Sequence, residues 1–306
     1  MQEINTDWKN EISEVIVNVA RLMIRIIGKT IDEETRKESL LMRFAIKIEG
    51  RRLQKEMSPY IGAAVMLAFE GKEPEEGKIA NILHEAGITP DHRMLSFESS
   101  LKFKASVVYA PALYFLRVSR KSDSLENLMK AVKAIGVEPD EHIAREVMAL
   151  DAELTNGTKV SAMQQDLDAS LKPASDMMAK FMLMELNRTF EKGDINNYIN
   201  KGFIPYLAAV GTLVYAGRDI NIEGEESFLA GIANLVSSIG IARNDEMLSY
   251  IKSFNYGNTA LSYVPPIAYI KSLGKEPTIQ IITKLLEIIG IPYDESLAGY
   301  AIAQFV

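Results

Sequence analysis

The sequence contains no cysteine, and it is poor in other residues that commonly carry chemistry. Its 306 residues include three histidines and one tryptophan. Without cysteine, disulfides, thiolate nucleophiles and cysteine-ligated metal sites are excluded. A structural zinc site needs four converging ligands. His84, His92 and His142 do not occupy equivalent positions in the chain, so ordinary surface histidines are the favoured interpretation.

Long apolar runs are also missing. The most apolar window, residues 203–216, contains Pro205 and Gly211 and is shorter than the roughly 20 residues that span a bilayer. The first residues lack the basic start and apolar core of a signal peptide. The net charge of −7 disfavours broad affinity for nucleic acid or anionic membranes. We therefore expect a globular cytoplasmic protein.

One pattern of tyrosine, glycine and capping residue occurs four times. Tyr60, Tyr109 and Tyr263 each begin an apolar run, and a Gly-(Ile/Val) pair follows 27 residues later. Tyr206 begins a further copy, in which the pair follows after 34 residues. A residue that favours helix N-termini stands four positions beyond each late glycine. These capping residues are Asp91, Asp140, Asn244 and Asp294.

Each copy is predicted to form three short helices. In the last copy, Tyr263 begins the first helix and Gly274 ends it, because glycine readily adopts the left-handed conformation that follows a helix. Thr278 opens the second helix, Gly290 closes it and Asp294 caps the third. No segment shows sustained alternation of period two. The sequence therefore predicts an all-α fold.

The four copies are expected to form two pseudo-symmetric halves, each preceded by two longer helices. In the first half, Gly28 should end the first leading helix and Asp32 should cap the second. A unit of about 40 residues cannot bury its own apolar face, so the copies must pack on one another. The predicted halves are 1–150, with copy 1 at 60–100 and copy 2 at 109–150, and 151–306, with copy 3 at 206–254 and copy 4 at 263–306.

Copies 1 and 4 share the fullest motif: a tyrosine-led apolar helix, a Gly-Lys-Glu turn, a second amphipathic helix, a Gly-Ile pair and a capping Asp. In copy 4 these are Tyr263, Gly274-Lys275-Glu276, Gly290-Ile291 and Asp294. Copy 2 lacks the glycine of the turn, and copy 3 carries an insertion. This motif resembles the N-terminal dimerisation domain of the archaeal and eukaryotic acidic ribosomal stalk proteins, across about 170 residues of the chain.

The resemblance implies a function in protein binding. In the stalk family, the domain pairs with a sister copy and grips a helix of the stalk base protein. A flexible Ala/Gly hinge and an acidic tail then recruit translation factors, and this sequence has neither. The resemblance therefore implies pairing of helical units and a groove for a partner helix, but not recruitment of factors.

A basic residue follows the end of the first helix in every copy. The pairs are Gly71-Lys72, Arg120-Lys121, Gly217-Arg218 and Gly274-Lys275. None of them fits the P-loop pattern, which needs a second glycine upstream and a Ser or Thr after the lysine. A helix stop followed by a cation facing a helix C-terminus explains the pairs.

A basic stripe recurs every four residues in the second leading helix, and it is our candidate partner-binding surface. The stripe consists of Arg43, Lys47, Arg51 and Lys55. It could bind an acidic partner or a nucleic-acid backbone. A solvated face, partly neutralised by neighbouring glutamates, is the plainer interpretation, because charge runs on helices are usually exposed.

We interpret the chain as a non-catalytic helical scaffold for protein–protein interaction that grips a partner helix. No catalytic, cofactor-binding or metal residue is assigned, and no cofactor is expected. The alternative is an all-α enzyme or small-molecule-binding protein with a site between the two halves, since helical folds build sites from facing helices. A third option is binding of RNA or DNA by the basic stripe. No membrane partner is expected, and the oligomeric state is open.

Overall fold

The structure is a computed structural model, and it is helical in every ordered element that it describes. No strand occurs in this part of the chain, so the predicted all-α fold is confirmed. The described residues are 8–37, 56–100, 104–157, 176–177, 180, 184, 195–218, 224–252 and 260–305.

The helices are numbered α1 to α14 in chain order. The N-terminal helices are α1 (Trp8–Lys37), α2 (described over 56–69), α3 (Glu76–Glu85), α4 (His92–Ser100), α5 (Lys104–Val118), α6 (Leu125–Ile135) and α7 (Glu141–Asn156). The C-terminal helices are α8 (Ile195–Asn200), α9 (Ile204–Tyr215), α10 (Glu225–Ser238), α11 (Asp245–Lys252), α12 (Val264–Ser272), α13 (Ile279–Ile289) and α14 (Glu295–Phe305). A short 3-10 turn at Ala260–Tyr263 precedes α12.

The first leading helix differs from the prediction. Gly28 was expected to end it and Asp32 to begin another, but α1 continues through both residues to Lys37. Glycine inside a helix costs only about 1 kcal/mol. Ile26 and Ile27, just before it, are buried at 4% and 0% exposure, which contributes more than that cost. The expected second leading helix lies mostly outside the described residues.

The predicted caps are confirmed at the start of all four third helices. In copy 2, the Asp140 carboxylate accepts hydrogen bonds from the backbone N–H groups of His142 (2.8 Å) and Ile143 (3.1 Å). Asp91, Asn244 and Asp294 accept equivalent bonds from the second and third residues that follow them. Thr278 caps α13 through its side-chain oxygen, which accepts a hydrogen bond from the backbone N–H of Ile281.

A hydrogen bond of its hydroxyl group explains why a tyrosine recurs at the start of each copy. The Tyr109 hydroxyl accepts a bond of 2.7 Å from the backbone N–H of Asp140, the cap of the third helix. Tyr60 and Tyr263 accept the same bond from their own caps, each 31 residues later. Tyr206, in the copy with the insertion, donates to the carbonyl of Ala242 (2.8 Å) and is also hydrogen-bonded to the backbone of its own cap, Asn244. All four tyrosines are buried, so each ties its first helix to the start of its third.

Helices of the two predicted halves pack directly against one another. α5 lies against α9, α6 against α10, and α3 against α13, so copy 2 pairs with copy 3 and copy 1 with copy 4. The buried apolar side chains of both halves belong to one continuous core. α1 packs on α5 and α7, the first and third helices of copy 2.

The basic residues of the turns join the paired copies. Lys121 Nζ donates to the carbonyl of Gly240 (3.4 Å), at the end of the second helix of copy 3. In the opposite direction, Arg218 of copy 3 donates to the carbonyl of Ile135 in copy 2 (3.5 Å). Lys275 of copy 4 donates to the carbonyl of Ala86 in copy 1. A cation beside a helix C-terminus is favourable. The expected structural role is therefore confirmed for Lys121, Arg218 and Lys275, but the helix that each one contacts belongs to another copy.

Candidate functional site

The residues singled out from the sequence do not form a site in the described part of the chain. The four residues of the basic stripe, Arg43, Lys47, Arg51 and Lys55, lie outside the described residues. His84, His92 and His142 are exposed and lie on different helices, as predicted for surface histidines. Across the described ranges, no three His, Asp or Glu side chains come together to hold a metal ion. None of the described helices is both long enough and apolar enough to cross a bilayer.

Copy 2 departs from the other copies at the turn after its first helix. Arg120 has a φ of +53° and is the one non-glycine residue with a positive φ among those described. The corresponding positions of the other copies are glycines, Gly71, Gly217 and Gly274, with φ between +64° and +73°. A residue with a Cβ atom is strained in this left-handed conformation by about 1–2 kcal/mol. Such strain is concentrated at functional sites in proteins.

A buried carboxylate organises the same region. Asp151, near the end of α7, is only 2% exposed. Its two oxygens accept hydrogen bonds from the Tyr114 hydroxyl (2.8 Å) and from Arg117 Nη2 (2.5 Å). Arg117 Nε also donates to Asp123 (3.0 Å), and the guanidinium lies 5.1 Å from the centroid of the Tyr114 ring. These bonds fix the orientation of Arg117 and Tyr114.

This cluster is specific to copy 2. Counting from the opening tyrosine, the position of Tyr114 holds Val65, Gly211 and Ala268 in the other copies. The copies therefore fold without the cluster, and the shared architecture does not account for it. The packing of α1 on α5 and α7 of copy 2, the helices that carry the cluster, explains it better.

The electrostatics of the cluster follow from burial and from the charge of Asp151. Burial raises the pKa of Tyr114, and the neighbouring carboxylate raises it further. Burial lowers the pKa of Arg117, but the hydrogen bond and the charge of Asp151 outweigh this effect and raise it. Tyr114 therefore stays neutral and Arg117 stays charged throughout the physiological range.

A cleft of about 580 Å³ opens above this cluster, between α1, α5 and α7. Its volume is in the range of small-molecule sites. Glu14, Asn18 and Arg21 enter it from one face of α1, spaced so that they lie above one another along the helix. Tyr114 and Arg117 line the opposite wall, followed by Arg120. The predicted boundary at residue 150 falls inside α7, so most residues of the cleft belong to the first predicted half, while Leu154 and Thr155 belong to the second.

The side chains of the cleft differ in how far they are already paired. Arg117 is bound to two aspartates. Within the described ranges, the side chains of Arg21 and Arg120 make no ion pair or hydrogen bond, although both line the cleft. Val15, Val118 and Leu154 add an apolar wall. The arrangement can therefore bind an anionic group beside an apolar one.

Only part of this site could be recognised from the sequence. Arg120 was visible as the departure from glycine in one copy. Asp151 is the first residue of the second predicted half, and nothing in the sequence shows that it is buried beneath Arg117. Comparisons with protein-family models, curated proteins and solved structures found no match for this chain.

Proposed function

We propose that this chain is a non-catalytic helical scaffold that binds a protein partner. The observation that carries the proposal is the packing of α1. This helix of 30 residues packs on α5 and α7 of copy 2, and its Val19, Leu22 and Ile26 are buried in the shared core. A three-helix copy of this kind can therefore hold an amphipathic helix on its first and third helices.

The proposed relation to the ribosomal stalk dimerisation domains rests on the same feature. In that family, paired units grip a helix of another protein. Here the copies pair within one chain, and α1 is a helix of the same chain held by copy 2. We propose that the partner is an amphipathic helix of a second protein and that the scaffold acts in the cytoplasm. The basic stripe at Arg43, Lys47, Arg51 and Lys55 stays our predicted contact for acidic residues of that partner.

The test is recovery and reconstitution of the partner with the full chain. The tagged chain is expressed in its own cells, and co-purifying proteins are quantified by mass spectrometry. The identified partner is then purified and titrated into the scaffold. We expect a complex of fixed stoichiometry whose cross-links place a helix of the partner on the scaffold.

Two charge-reversal variants localise the contact. Arg43→Glu with Lys47→Glu changes the stripe, and Lys130→Glu with Arg145→Glu changes exposed positions on α6 and α7. The partner should be lost with the first pair and retained with the second. Recovery of no protein above the untagged background would overturn the scaffold proposal. Recovery of RNA or DNA instead, with binding that falls steeply as salt rises, would favour the nucleic-acid alternative.

A further inference from the structure

Arg120 combines three properties that are not expected together in a residue with only a structural role. Its backbone holds a left-handed φ of +53°, whereas the other three copies use glycine at this position. Its side chain is exposed and makes no ion pair or hydrogen bond within the described ranges. That side chain lines the cleft between α1 and copy 2. A glycine here would remove the strain and lose no described polar contact.

Arg21 faces the same cleft from α1 and shares the absence of a described partner. Arg117 lines the wall opposite α1, as Arg120 does, and two carboxylates hold its guanidinium in place. A guanidinium carries five N–H donors, so the two bonds leave further donors for a ligand. Arginine also suits oxyanions because its planar fork matches the oxygens of carboxylate and phosphate groups.

The negative charges around the cleft do not block an anion at this end. Asp151 and Asp123 are engaged with Arg117. Glu14, the acidic residue that lines the cleft, lies seven residues before Arg21 on α1, which is about 10.5 Å along a helix axis. An anion between Arg21 and Arg120 is therefore closer to arginines than to this carboxylate.

We propose that the cleft binds a small organic oxyanion, a carboxylate or a phosphate monoester, between Arg21 and Arg120, with its apolar part against Val15, Val118 and Leu154. The volume of about 580 Å³ is in the range of small-molecule sites. The fixed Arg117 supplies a third, preorganised donor. This inference does not depend on the scaffold function, because the cleft and the basic stripe involve different residues.

The test compares the full chain with three variants, using phenyl phosphate and inorganic phosphate as probes. Binding is measured by isothermal titration calorimetry, and Tm is measured in chloride buffer of matched ionic strength. Arg120→Gly and Arg21→Ala remove one donor each. Arg145→Ala, an exposed arginine on α7 outside the cleft, is the matched control.

We expect phenyl phosphate to bind more tightly than inorganic phosphate, because only the former contacts the apolar wall. Arg120→Gly and Arg21→Ala should each weaken phenyl phosphate binding about tenfold to a hundredfold, the loss expected for hydrogen bonds to a charged group. Arg145→Ala should bind as the parent chain does. In chloride buffer, Arg120→Gly should raise Tm by about 1–3 °C, since it relieves the left-handed strain.

A structural role for Arg120 makes the opposite prediction on stability. If Arg120→Gly lowers Tm in chloride buffer, the arginine serves the fold and the inference fails. Equal binding of phenyl phosphate by the parent chain and Arg120→Gly would also overturn it. An acidic peptide of alternating Glu and Leu serves as the third probe, and tighter binding of this peptide than of phenyl phosphate would overturn the assignment to a small molecule.

Discussion

Replacement of Gly71 by alanine tests how the turns of copies 1 and 3 meet. Gly71 and Gly217 end the first helices of their copies, both with positive φ, and their backbones are in direct contact. A Cβ atom on Gly71 would lie 2.2 Å from the backbone nitrogen of Gly217 and 2.6 Å from the carbonyl carbon of Ala216. Backbone atoms cannot rotate away as a side chain can, so the two turns would have to separate.

The chain offers a matched control for the conformational part of this cost. Gly274 holds nearly the same φ, +70° against +64°, but a Cβ atom there meets no other atom within 4 Å. Gly274→Ala should therefore cost about 1–2 kcal/mol, the strain of a left-handed alanine. Gly71→Ala carries the same strain plus about 1–3 kcal/mol of overpacking. Its expected total is about 2–5 kcal/mol.

Gly217→Ala should fall between the two, because its Cβ atom would lie 3.0 Å from the Cα atom and the carbonyl oxygen of Gly71. The measurement is urea unfolding of the full chain followed by circular dichroism, with the unfolding midpoint and slope compared for the three variants. Equal losses for Gly71→Ala and Gly274→Ala would refute the direct backbone contact between copies 1 and 3.

Three further predictions concern the buried polar groups. Tyr109→Phe should cost about 1–2 kcal/mol in urea unfolding, because the backbone N–H of Asp140 loses its acceptor, whereas the exposed Tyr293→Phe should change nothing measurable. Asp151→Asn should cost about 1–3 kcal/mol, less than for a fully buried ion pair because Arg117 is partly exposed; a loss within error would mean that the carboxylate does not hold Arg117. Stability should fall as pH rises above about 10, the pKa of unfolded tyrosine, since the unfolded chain ionises there before the folded one. A pH titration of circular dichroism alongside absorbance at the tyrosinate band checks this order, and tyrosine ionisation well before any loss of helix would contradict it. The tyrosines whose pKa burial raises are Tyr109, Tyr114, Tyr206, Tyr215, Tyr263 and Tyr269.

Local signals in the sequence predicted local structure well. Asp140 and Thr278 cap helices as expected, because a cap bonds to N–H groups only two or three residues away. Gly28 shows where this reasoning fails. A glycine that would end an isolated helix is retained inside α1, since the burial of its neighbours against copy 2 outweighs the local preference.

The candidate site could not be predicted in the same way. Asp151, Arg117 and Arg21 come from three different helices, and no local rule relates residues that are 34 or more positions apart. The recurrence of the tyrosines could be seen in the sequence, but its reason is a hydrogen bond across 31 residues that only folded coordinates show. Arg120 was the one visible sign, because it interrupts a series of glycines.

The sequence by itself determined the helical class, the ends of the helices within each copy and the residues that cap them. These depend on hydrogen bonds and φ preferences that span a few residues. The tertiary structure decided that copy 2 pairs with copy 3 and copy 1 with copy 4, that Lys121, Arg218 and Lys275 each bond to a carbonyl of another copy, and that α1 and copy 2 enclose a cleft. Those outcomes depend on which apolar faces are buried against one another, and these faces come from distant parts of the chain.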